Sequence, residues 1–291
     1  MRDFTPSTYS RLIAALQEAG YRFVTMQEIF ELQSTEKTSA EWRTSPNVQK
    51  TSAEWRTSPN VQKKTEGAGK VCCMRHDVDL KADHSLAIAR IEHEMGVRAV
   101  YYFRVIPESN KPDIIKQIAA LGHEIGYHYE DMSIFDGDID KAYEHFCRQL
   151  DYFRTFYPVK TICMHGAPTS RYDGRDLWKK YDYHSLDIVC EPYLDLDYSR
   201  LLYLTDTGRR WDGYKVSLRD KIPVLQDKWT NQGLTFHSTF DIINALQQGR
   251  LTTPVLFTTH PQRWTDKKGE WWKELIIQNL KNIIKRCLNV I

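Results

Sequence analysis

Short apolar runs of strand length recur along this 291-residue chain, many of them separated by segments with helical periodicity. Seven fall at residues 71–75, 99–105, 124–128, 160–164, 185–189, 201–205 and 255–259, with a shorter one at 21–24. Between them, Ile139, Tyr143, Phe146, Leu150 and Phe153 recur at steps of four and three, one apolar stripe of a helix. Leu275, Ile276, Leu280, Ile283, Ile284 and Cys287 repeat the pattern near the C-terminus, and residues 9–16 read as a helix before the first strand. Buried strands alternating with helices require long crossovers and so predict a parallel sheet. About seven strands in roughly 250 residues predict an α/β fold, a distorted (β/α) barrel. In such a barrel, chemistry gathers where strands end.

One stretch does not fit the pattern. Residues 37–49 read KTSAEWRTSPNVQ, and residues 50–62 repeat them without a change. Two polar copies cannot stack into a solenoid core, so residues 36–69 are expected to form a long irregular surface insertion in a single domain spanning 1–291. Trp42 and Trp55 would be its only large apolar groups. Lys and Arg total 40 against 38 acids, a net charge of +2, so no general attraction to nucleic acid is expected. No run reaches the ~20 apolar residues of a spanning helix, and the first residues lack the apolar stretch of a secretory signal. The six cysteines form no C-x-x-C pair and read as small buried hydrophobes in a reducing compartment. A cytoplasmic protein without membrane insertion is the expectation.

Four strand ends carry ionisable residues. Asp77 and Asp79 follow the 71–75 run and alternate onto one face, as a metal ligand beside a general base would. His128 ends the 124–128 run, where an imidazole can reach a metal; His123 opens that run and reads as a structural hydrogen-bonding group. Gly126 between them lets another group come close. His165 follows the 160–164 run, and His260 follows 255–259, ahead of a proline. Singly each histidine is more often structural. Four strand ends together have the logic of a barrel active site.

With RHDVD at 75–79, GHEIGYHYE at 122–130, MHGAP at 164–168 and TTHPQRW at 258–264, the chain resembles the polysaccharide deacetylase superfamily, the NodB-homology or carbohydrate esterase family 4 fold, and within it the WbmS-type branch. The resemblance implies a divalent metal, zinc by preference, and hydrolysis of an acetyl group on a sugar, in polysaccharide or surface-glycan biosynthesis. It implies Asp77 as base and Asp79 and His128 as metal ligands. Two departures stand out. Val78 separates aspartates that the family has adjacent, and Met132 stands where the family has a second metal histidine. His165 is then the first candidate for the third ligand and Glu130 the second.

On that reading His260 protonates the departing amine and Arg75 orients Asp77. Gly166 or Ala167 offers a backbone N–H to the oxyanion. Tyr129, Glu130, Trp264 and Trp211 are the expected substrate contacts. Two alternatives remain: a metal-dependent hydrolase of another amide or a phosphoester, and a glycan-binding protein without activity. No P-loop, G-x-S-x-G elbow or cysteine nucleophile motif supports a different chemistry.

Overall fold

The computed structural model describes residues 2–44, 69–167, 170–213, 217 and 222–289. Most of the duplicated segment, with Trp55, lies outside them, as do Pro168 and the side chains of Trp42 and Cys287.

Seven strands form one parallel sheet: β1 (Arg22–Val24), β2 (Val71–Val78), β3 (Val100–Phe103), β4 (Glu124–Tyr129), β5 (Ile162–Met164), β6 (Leu202–Thr205) and β7 (Val255–Thr259). The order is β5-β4-β3-β2-β7-β6, curled into a half-barrel in which β5 and β6 are the two edges. The long central β2 has β7 along one side. Its other side is shared, β1 pairing with Val71–Cys73 and β3 with Arg75–Val78. Every residue of β2, β3, β4, β5, β6 and β7 is buried. That explains their continuous apolar character, since a parallel sheet is covered on both faces.

The helices are α1 (Pro6–Glu18), α2 (Met26–Thr44), α3 (Ala82–Glu94), α4 (Pro112–Ala120), α5 (Asp131–Ile134), α6 (Ile139–Arg154), α7 (Pro192–Asp195), α8 (Pro223–Asn231), α9 (Thr239–Gln247) and α10 (Lys268–Asn289). Their starts are written locally. Thr5 caps α1 by accepting from the Thr8 amide ahead of Pro6, Asp138 caps α6, and Ser238 with Asp241 forms a reciprocal capping box on α9. On α6 the expected stripe faces the core, with Phe146, Leu150 and Phe153 buried. Burying three such side chains is worth about 1.5–3 kcal/mol each.

Three expectations need correction. Residues 185–189 form no strand; a 3-10 turn (Tyr183–Leu186) capped by Asp182 ends at Asp187 with φ 62°, leaving a single bridge from Cys190 to Thr161. The irregular insertion expected over 36–69 begins in helix, because α2 continues through Thr44 into the first copy of the repeat. Finally, the C-terminal stripe does lie on a helix, but Ile276, Leu280, Ile283 and Ile284 point outward.

Candidate active site

The first residue past each of six strands is ionisable, and all six converge. Asp79 follows β2, Arg104 follows β3, Glu130 follows β4, His165 follows β5, Asp206 follows β6 and His260 follows β7. Asp77 and His128 lie one pleat further down, inside β2 and β4. Side-chain alternation places Asp77 with Asp79 and turns His76 to the other face.

At the centre, Asp79 Oδ1 lies 3.6 Å from His128 Nε2 and 3.4 Å from His165 Nε2. Both histidines are held from behind. His128 Nδ1 bonds the Cys163 carbonyl oxygen at 2.9 Å, and His165 Nδ1 bonds Glu130 Oε2 at 2.9 Å. Each Nδ1 carries the proton if it donates to that oxygen, so each Nε2 presents a lone pair to Asp79. Asp79 Oδ1 is buried and accepts no hydrogen bond, an expensive state for a carboxylate oxygen unless a cation completes it. Burial keeps His128 neutral, holding its pKa well below the usual histidine value, with His165 adding to the effect. Burial alone would raise Asp79, yet His165, His260 and His128 together hold it below the ordinary carboxylate range. Two imidazole Nε2 atoms and a carboxylate oxygen within reach of one another are a donor set for a divalent cation, of the nitrogen and oxygen type that zinc takes.

Two clamps flank this centre. Arg75 grips Asp77 with Nε on Oδ1 at 2.8 Å and Nη2 on Oδ2 at 2.7 Å, and Asp77 Oδ2 lies 3.7 Å from His128 Nε2. Arg104 grips Glu130 in the same bidentate way at 2.8 Å for each bond. Opposite, His260 Nε2 lies 3.8 Å from Asp79 Oδ2, while its Nδ1 bonds Asp206 Oδ1 at 2.6 Å. Asp206 also accepts from Arg263 and from the Trp264 indole. Burial works against the Asp206 charge, but Arg263 and His260 hold its pKa down to about 2. Burial and Arg263 oppose charge on His260 as well, and Asp206 outweighs them, lifting its pKa above the usual value.

The structure thus brings Arg75, Asp77, Asp79, His128, His165 and His260 together. It places three of the expected substrate contacts, Tyr129, Trp211 and Trp264, elsewhere, and leaves Glu130 on the wall of a cleft. Tyr129 is fully buried on the face opposite His128, packed on Phe146 and accepting from the Trp178 indole, because its neighbour His128 uses the site face. Trp211 is buried against Phe257 and bonds Thr239. Trp264 packs on Phe4 and Tyr9 and serves Asp206. Glu130 is spent on Arg104 and His165, which makes it a support for His165 rather than a ligand in its place. The Ala167 amide already donates to the His165 carbonyl oxygen, leaving Gly166 of the two expected oxyanion donors. Met132 is buried, and Gly126 is indeed approached closely: a Cβ there would lie 2.3 Å from the Tyr102 ring.

Asp206 and Arg104 were not read from the sequence, although both obey the strand-end rule; neither lies in a histidine- or acid-rich motif. A cleft of about 540 Å³ opens beside Glu130, lined by Arg104, Ser133, Ala167, Arg171 and Tyr172 among others.

No family model matches the sequence, and no curated protein matches it. Among solved structures, the chain is similar to a CE4 family pseudoenzyme from Bacillus anthracis, at 10% identity and a TM-score of 0.38, over 75% of this chain and 62% of that one. A mutant of that pseudoenzyme with restored enzymatic activity matches at 10% identity and the same TM-score, over 75% and 64%. This chain therefore spans less than two thirds of the length of either.

Proposed function

We propose that the protein is a metal-dependent hydrolase that removes an acetyl group from an acetamido sugar in polysaccharide or surface-glycan biosynthesis, a WbmS-type deacetylase in one domain over 1–291. The observation that carries this is the unpaired, buried Asp79 Oδ1 facing two imidazole Nε2 atoms, with a clamped carboxylate on one side and an aspartate-backed histidine on the other.

Asp79, His128 and His165 would hold the cation. Bound there, a divalent ion supplies Lewis acidity toward the acyl oxygen and an acidified water. Asp77 would take a proton from the attacking water, and the Arg75 clamp fixes which oxygen lone pairs face the reacting atoms. His260, whose pKa Asp206 raises, donates a proton to the leaving amine, which an amide needs because its nitrogen departs poorly as an anion. Asp206 sets both the orientation and the charge of His260. The sugar ring would lie in the cleft beside Glu130, against Tyr172.

The test is elemental analysis of the parent and of His128→Ala after identical dialysis, followed by an assay on acetylated amino sugars beside phosphoesters. The expected result is about one equivalent of zinc in the parent, little in the variant, and acetate release in the parent only. Phosphate release without acetate would replace the reaction; no metal after reconstitution would end the reading. A glycan-binding protein without activity is the second reading, motivated by Met132 where the resembled family has a histidine.

A further inference from the structure

Five of the nine large apolar side chains exposed among the described residues stand on one helix, α10: Trp272, Ile276, Leu280, Ile283 and Ile284, each 56–59% exposed. At 100° per residue, Trp272, Ile276, Leu280 and Ile283 fall within a narrow arc, with Ile284 at its margin. The opposite side of the same helix is anchored to the body. The Trp271 indole donates to the Asp3 carbonyl oxygen, Arg209 donates to the Trp271 carbonyl oxygen, and Asn282 donates to that of Gly208. The stripe is therefore held outward by a fixed rear face.

The charges around it are one-sided. Lys268, Lys273 and Lys281 are exposed, and Arg286 follows in the helix sequence. Of its two acids, Glu270 pairs with Lys81 and Lys267, which leaves the single charge of Glu274 against this excess of basic groups. An apolar arc with a tryptophan and a lysine-rich border is what lies flat in the headgroup layer of a bilayer, where Lys stems reach to anionic phosphates. A second copy fits less well, since pairing two such helices would set their basic borders together.

We infer that α10 docks this protein onto an anionic lipid surface, lying in the interface and not crossing it. The net charge of +2 hides this face because the charge is local. The docking is independent of the catalytic residues.

The full-length chain is floated with vesicles of phosphatidylcholine alone and with vesicles rich in phosphatidylglycerol. It should bind the anionic vesicles at least about tenfold more than the neutral ones and come off in high salt. Leu280→Ser with Ile283→Ser should cut binding about tenfold or more, and Lys273→Glu with Lys281→Glu should weaken it while leaving the circular dichroism unchanged. Equal binding to both vesicles, no binding, or binding indifferent to both double variants overturns the inference. So does a dimer in sedimentation equilibrium that Leu280→Ser with Ile283→Ser dissolves, which would assign the face to a second copy.

Discussion

Two histidine–carboxylate clusters share strands β2, β3 and β7, and they differ in one respect. On the face turned away from the candidate site, Glu92 of α3 accepts from the Tyr9 hydroxyl at 2.5 Å and the Tyr101 hydroxyl at 2.5 Å and bonds His76 Nε2 at 2.8 Å. His76 Nδ1 goes on to Thr259 at 2.5 Å, and His123 bonds the Ala89 carbonyl oxygen and the Ala99 amide. Each of these polar atoms has a partner, and the whole set is sealed. Across the sheet, the Asp79 cluster has an accepting oxygen with no donor and two imidazole nitrogens aimed at it. The residue types are nearly the same. What separates scaffold from site is whether the hydrogen-bonding capacity is used up.

The hardest blow to that comparison is Glu92→Ala. It strands two buried hydroxyls and a histidine, and should cost about 3–5 kcal/mol in urea unfolding. A loss under about 1 kcal/mol would mean the closed cluster is no more structural than the open one. Next is Asp206, whose depressed pKa stabilises the folded state above the ordinary aspartate value and ceases to do so as pH falls from 3.8 toward about 2. The parent should lose about 2 kcal/mol over that fall, and Asp206→Asn, lacking the charge throughout, should show a flatter acid limb in pH-dependent denaturation. Glu130→Gln should then weaken metal binding about 10–100-fold in a chelator competition, by slackening His165. The smallest effect sharpens the contrast. In metal-free protein, Asp79→Asn should shift unfolding by less than about 1 kcal/mol, because its Oδ1 has no hydrogen bond to lose and its Oδ2 has only the long one from Gln262, which the Asn oxygen can keep.

Much of this was readable in the chain. The strands showed because a doubly covered sheet imposes long apolar runs, and the bounds of β7 matched. Asp79, His128 and His165 showed because strand ends in such a sheet meet. Residues 185–189 misled because apolar character alone does not see Asp182 and Asp187 closing a turn. Tyr129, Trp211 and Trp264 misled for a related reason. Tyr129, next to His128 along the strand, falls on the other side of the pleat, and a large indole is cheaper to bury than to show. Asp206 and Arg104 needed the structure, since their partners lie 54 and 26 positions away.

The placement of six ionisable side chains immediately past six strands has a consequence for how such a chain changes over time. Each of those backbone positions is fixed by the ladder that ends there, while its side chain lies beyond that ladder's end. The sheet thus offers six sockets whose contents can be exchanged one at a time. One socket's residue can change while the strand beneath it, and with it the fold, stays as it is.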